Sequence, residues 1–175
     1  MTDITEKIKA KRTLSEKIAS YIPGYRGYKE KELRREADKM VREKAAAALN
    51  GGRISIKDVM AAIADSSRTD LFKAVNRVSA VYDRVTSEIE HADYGYAGFF
   101  DAVKIREEEL DELLKYDYSM ISKAEDTMKT SQDARDAAQT PDYDKTAMIL
   151  QDLRKKLLEL EADYLNRKGA ILHIT

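Results

Sequence analysis

Glu88-Ile89-Glu90-His91 sets a carboxylate and an imidazole three residues apart, which on a helix places both on one face. Bundles that hold two metal ions use two such pairs plus two further carboxylates. The second histidine, His173, has Ala170 at the matching position, so the partner half of that motif is missing and no metal ligand set is expected. Gly24-Tyr25-Arg26-Gly27 has the GxxG spacing by which KH modules clamp a nucleic-acid backbone, but that fold requires strands. Free N–H groups at the start of the following helix, beside Lys29, offer a weaker phosphate site. There is no P-loop, no dinucleotide fingerprint and no Gly-x-Ser-x-Gly. The absence of cysteine excludes disulfides, thiolate metal sites and cysteine nucleophiles. These residues predict a non-enzymatic protein with no catalytic group and no cofactor.

A different concentration of side chains stands out. Of thirteen aromatic residues, seven fall in two turn-like stretches: Tyr21, Tyr25 and Tyr28 in one, Tyr94, Tyr96, Phe99 and Phe100 in the other. Surface turns do not ordinarily gather rings, which bury large areas and whose hydroxyls need partners. The two turns are therefore expected to meet as a cap on one end of a bundle. If that cap also binds a partner, the candidate surface is Tyr25, Arg26, Tyr28, Lys29, Arg84, Tyr94, Tyr96, Phe99 and Phe100, with exposed tyrosines and nearby bases as anchors. A small-molecule pocket under the cap is a third option, and it would call for a buried Asp83, Arg84 or Asp101.

The elements that position these turns read as helices throughout. Only 7 Gly and 2 Pro interrupt 175 residues rich in Ala, Glu, Lys and Leu. The first segment runs from about 2 to 21 and carries two capping-box patterns, so it reads as one weak helix or two short pieces. Ile22-Pro23-Gly24 through Tyr28 is a turn by composition. A helix from 29 to 49 follows, and Asn50-Gly51-Gly52 reads as a strong stop. A short helix over about 55–65 comes next. Leu71, Val75, Val78, Tyr82, Val85 and Ile89 then give a clean stripe over 69–92. Beyond the aromatic corner a helix is expected over 101–131, fraying from Ser131 to Gln139, with Asp117 on its solvated face. A last helix runs from Thr140-Pro141 to about Lys168, with Gly169 ending it. The fold class expected is all-α: one domain over 1–175, with an arm at 1–21, N-terminal helices over 29–65 and an elongated antiparallel bundle of three long helices over 69–168.

Two stretches carry a resemblance. Ile22-Pro23-Gly24-Tyr25-Arg26-Gly27-Tyr28-Lys29-Glu30-Lys31-Glu32-Leu33-Arg34-Arg35-Glu36-Ala37-Asp38-Lys39 is one. Asp83-Arg84-Val85 followed by Tyr94-Gly95-Tyr96-Ala97-Gly98-Phe99-Phe100-Asp101-Ala102-Val103-Lys104 is the other. Both resemble motifs of an uncharacterised prokaryotic all-helical family, and the spacing toward Asn166-Arg167 is similar as well. The resemblance implies a helical fold and brings no activity with it. Where such relatives place a base soon after the Asp-Arg pair, this chain reads Thr86-Ser87-Glu88, so no anion site is implied there.

Charge is nearly balanced at −1, but it is unevenly placed. Residues 7–35 hold ten Lys/Arg against three Glu, and residues 86–145 hold sixteen Asp/Glu against seven Lys/Arg. Either the basic arm docks on the acidic hairpin of its own or a neighbouring chain, or it serves an anionic partner. No apolar run approaches the ~18 residues of a membrane span, and residues 1–6 lack the hydrophobic block of a signal peptide. A cytoplasmic location is the expectation. The functional expectation is a non-enzymatic helical scaffold or adaptor that binds a protein partner or itself as a homo-oligomer through the aromatic cap and charged faces. The alternative is a module that binds nucleic acid or an acidic membrane surface through 7–35.

Overall fold

The computed structural model describes residues 2–92 and 95–174, with the side chains of Thr2, Asp3 and Lys11 left out of the description. The described residues form helices and connections and contain no strand. In chain order the helices are α1 (Thr2–Tyr21), α2 (Arg34–Ala62), α3 (Thr69–Glu90), the short α4 (Ala97–Asp101), α5 (Glu107–Gln139) and α6 (Tyr143–His173). A 3-10 turn, Lys31–Leu33, leads into α2.

The four long helices make a square bundle. Each of α2 and α6 packs against both α3 and α5. Cross-helix bonds fix the directions. Arg42 and Asn50 reach Glu90, and Arg53 reaches Asp83, so α2 and α3 are antiparallel. Ser119 meets Asp163 and Thr130 meets Lys156, so α5 and α6 are antiparallel too. The two hairpins lie side by side in parallel. Lys44 pairs with Glu125 between α2 and α5, while Arg68–Asp144 and Arg84–Glu161 tie α3 to α6. The expected all-α bundle is present, and the helix over residues 34–62 is its fourth full member. The connection from α3 to α5 must cross the end of the bundle diagonally, and it carries the aromatic corner.

Several expected boundaries are corrected. Gly51-Gly52 does not stop a helix; α2 continues through it to Ala62. A Cβ on Gly52 would collide with the Tyr82 hydroxyl of α3 and stand 3.1 Å from Ser131 Oγ of α5. Glycine is therefore there because three helices approach closely, and the intrahelical hydrogen bonds carry the chain past it. Residues 131–139 do not fray. Ser131, Ala134, Ala137 and Ala138 are buried, so small side chains in that turn form a packed face and α5 keeps going. Gly169 likewise sits inside α6, which ends only at His173 because Ile171 and Ile174 are anchored in the core. The helix expected from 101 is two pieces, α4 and α5, separated by residues 102–106; Glu109 accepts from the Arg106 N–H to start the second. Asp142 caps α6 by accepting from the Lys145 N–H at 3.1 Å. The arm is one helix, α1, and not two pieces.

α1 packs on α5 by its last turns. Ile18 is fully buried, Tyr21 lies against Tyr118, and Lys17 Nζ stands 5.5 Å over the Tyr118 ring. Toward its start Ile4 and Ile8 are exposed. No described helix is long and apolar enough to cross a membrane.

Candidate functional site

The two turns meet. Gly24 and Gly27 take positive φ (+86° and +77°), a region closed to most side chains, and this folds Ile22–Tyr28 back under the bundle end. That fold aims Tyr25 and Tyr28 inward. Their rings lie edge to face at 6.3 Å, and Tyr28 meets Phe99 of α4 at 5.4 Å. Phe99 packs on Phe100, and Phe100 on Tyr96. Arg34 locks the two motifs together: its Nε donates to the Tyr28 carbonyl and its Nη1 to the carbonyls of Phe99 and Ala102. Arg35 places its guanidinium 4.3 Å over the Phe100 ring from outside.

Among the described residues of the cap no tyrosine is exposed, and that part of the expectation is corrected. Tyr25, Tyr28, Tyr96, Phe99 and Phe100 are all buried, because the rings of the two facing turns pack against one another. Tyr94 lies outside the described residues. Of the bases expected around the cap, Arg26 and Lys29 are exposed, with Lys29 3.9 Å from Glu107. Arg84 is not at the cap. It forms a two-pronged pair with Glu161 on α6, at 2.7 and 2.9 Å, and that hydrogen bonding holds the Glu161 carboxyl below its usual pKa. Asp83 and Asp101, which a pocket under the cap would have buried, are exposed. His91 is exposed as well, its Nδ1 bonded to the Ser87 carbonyl of its own helix.

Directly beneath the rings lies a cluster that pattern reading missed. Asp38 and Arg42 from α2, Asp117 from α5 and Arg167 from α6 form a buried group of two acids and two bases. Arg167 Nε donates to Asp117 at 2.6 Å, and its Nη2 donates to Asp38 at 2.8 Å and to the Tyr28 hydroxyl at 3.2 Å. Tyr28 donates to the other oxygen of Asp117 at 2.5 Å, and Tyr25 reaches the same oxygen at 3.4 Å. Arg42 pairs with Asp38 at 2.9 Å and caps α3 by donating to the Glu90 carbonyl at 3.0 Å, where the helix dipole favours a cation. Asp117 has 0% exposure, which corrects its assignment to a solvated face. Its place is in the seam between α5 and α6, where Arg167 neutralises it.

The electrostatics follow from burial. Loss of water raises the phenol pKa values of Tyr25 and Tyr28, and the Asp117 carboxylate beside them raises both further. Burial acts to lower the Arg167 pKa, but the Asp117 and Asp38 carboxylates outweigh it and hold the guanidinium well above its ordinary value. Asp117 is lifted by burial and drawn back by Arg167 and the Tyr28 hydroxyl. Among the described residues, Arg167 Nη1 is buried with no hydrogen-bond partner.

The chain matches no family model, no curated protein and no solved structure.

The arrangement is therefore read through its own chemistry. Every charge in the cluster faces an opposite charge, and rings cover it from the end of the bundle. Through Asp117 and Asp38, Arg167 ties α6 to both α5 and α2. Among the described residues there is no group of His, Asp and Glu disposed to hold a metal ion. The sequence signal that could have found the cluster is modest. Asp38 and Arg42 are i,i+4 partners, and Arg167 interrupts the otherwise apolar stripe of α6 between Tyr164 and Ile171.

Proposed function

We propose that the protein is a non-enzymatic helical scaffold or adaptor that engages protein, either a partner or itself, through its outer helix faces. The observation that carries this reading is the distribution of side chains. The ionisable groups best placed for chemistry, Asp38, Asp117 and Arg167, are spent on one another at zero exposure. Large apolar side chains stand in solvent instead: Ile4 and Ile8 on α1, and Met148, Leu158, Leu165 and Leu172 on α6. Apolar side chains aligned on one face of a surface helix mark association sites more often than chance exposure does. The aromatic cap contributes by fixing the helices, with Arg26, Lys29 and Arg35 forming its charged rim.

A photo-crosslinking amino acid placed singly at Ile8, Leu158 and Leu165 in living cells tests the reading. Discrete protein adducts, of the chain with itself or with another protein, are the expected result. Adducts at none of the three positions, with the protein folded and abundant, would overturn it.

The second reading, an anion-binding module for nucleic acid or an acidic membrane surface, draws support from the exposed bases Lys9, Arg12, Lys17, Arg26 and Lys29. Arg34, counted in that basic stretch, is withdrawn to the interior. Binding of a labelled oligonucleotide or of anionic vesicles should fall steeply with added salt if this reading holds. No binding to either at low salt removes it.

A further inference from the structure

α6 carries two heptad seams, and the bundle uses only one. The inner seam, Leu150, Leu153, Leu157, Leu160, Tyr164, Arg167 and Ile171, is buried against α3 and α5. On the opposite side the residues Met148, Gln151, Lys155, Leu158, Ala162, Leu165, Gly169 and Leu172 also recur in strict alternating steps of three and four. All are exposed except Gly169, which is half-buried. Of the eight large apolar side chains standing exposed among the described residues, four lie on this single line: Met148 at 72%, Leu158 at 37%, Leu165 at 53% and Leu172 at 46%. A packed surface helix needs one stripe; a second with spacing near 3.5 is the signature of a helix that also winds on another helix.

We propose that this outer seam is a homodimer interface, in which α6 of one chain pairs in parallel and in register with α6 of a second copy. The inference rests on the scaffold reading above and names its partner and geometry. In heptad terms Gln151, Leu158, Leu165 and Leu172 occupy the d positions, and Met148, Lys155, Ala162 and Gly169 occupy a. Leucine at d suits a parallel two-stranded pair, and a single lysine at a fixes register at some cost in stability. Ala162 and Gly169 leave room for the two backbones to approach.

Charge selects the orientation. In a parallel pair the g residue of one copy meets the e residue five positions on in the other, which brings Arg154 against Glu159 twice by symmetry. An antiparallel pair along the same seam would set Glu159 against Glu159, Glu161 against Glu161 and Arg154 against Lys168. Glu161 is already paired with Arg84 in its own chain, which leaves like charges at the Glu159 and Arg154–Lys168 layers, against one such contact, Lys155 on Lys155, offset by two Arg154–Glu159 pairs in the parallel arrangement; charge therefore favours the parallel pair. The seam from Met148 to Leu172 is ~36 Å long, enough for three heptads of contact.

Light scattering and sedimentation of the full chain across roughly a hundredfold range of concentration should show a monomer–dimer equilibrium. The double variant L158E/L165E should be monomeric throughout while keeping its helix content and the melting temperature that the parent chain shows at concentrations where it is monomeric, since both side chains are exposed in the single chain. R154E should weaken the dimer about tenfold, and R154E/E159R should restore it. The chain has no cysteine, so M148C reports orientation cleanly. Parallel pairing sets the two thiols side by side for oxidation to a disulfide-linked dimer, whereas antiparallel pairing holds them ~36 Å apart. A monomer at every concentration overturns the inference; so does a dimer indifferent to L158E/L165E, or one in which M148C fails to cross-link. In any of these cases adducts to a different protein at Leu158 or Leu165 would leave the scaffold reading standing and the homodimer refuted.

Discussion

Arg167 is the side chain on which the interior turns. It touches three other groups, Asp117, Asp38 and the Tyr28 hydroxyl, from a position with no access to water. Removing it does not affect its two acids equally. Asp38 keeps Arg42, whereas Asp117 is left with only phenol donors. R167M should therefore cost roughly 3–5 kcal/mol, the magnitude of a buried charge stripped of its partner. The double variant D117N/R167M should cost clearly less than the sum of the two single changes, because no stranded charge remains. Urea unfolding of the four proteins measures the cycle, and strict additivity would show that the two residues do not act as a pair. The aromatic side chains around this cluster were legible in the sequence because rings gathered in turns must bury against something. The charges were not. Asp117 lies between Tyr116 and Tyr118 in a helix crowded with acids, and nothing local separates a buried acid from a solvated one.

Among the elements, α2 shows how a local signal can be outvoted. Asn-Gly-Gly ends a helix when the chain has an alternative, but here α2 lies across both α3 and α5, and a side chain at position 52 has no room. G52A should cost about 1–3 kcal/mol through overpacking against Tyr82 and Ser131. G51A meets only the flexible Met128 side chain, whose Sδ stands 2.9 Å from the added Cβ, and should be near neutral because the gain in helix propensity offsets a small rearrangement. G169A finds nothing within 4 Å inside α6 and should stabilise by about 0.5–1 kcal/mol. Thermal melts of the three variants check the order, and a destabilised G169A would mean that α6 is broken at that point. The same override explains why residues 131–139 stay helical. Their alanines pack, and packing decides helix length more strongly than composition does.

At the scale of the molecule, burial of phenols links stability to pH. Tyr25, Tyr28, Tyr82, Tyr96 and Tyr164 all have raised pKa values, burial being the leading cause for each. A raised phenol pKa means that the unfolded chain releases these protons first as pH climbs. Stability from this source is complete below the ordinary phenol value of about 10 and is lost as pH rises beyond it toward the folded values. Each tyrosine that stays protonated in the fold contributes about 1.4 kcal/mol of lost stability per pH unit in that range. Denaturant midpoints should fall steeply above about pH 10, and Y82F should reduce the proton uptake behind the slope by about one. A flat profile there would mean that the rings are open to water.

Helix content, the break near residues 65–67 and the meeting of two aromatic turns were determined by the sequence alone, since periodicity, turn residues and ring clustering are local properties; the start of α6 was not, because Asp142 caps it two residues beyond the expected Thr140-Pro141. Tertiary structure alone decided that the two hairpins run parallel side by side, that four charges sit beneath the rings, that Gly51-Gly52 and Gly169 belong to unbroken helices, and that the outer line of α6 is left uncovered. Each of these depends on what stands opposite a residue across the bundle, and a helix of period 3.6 specifies its own faces but not its neighbours.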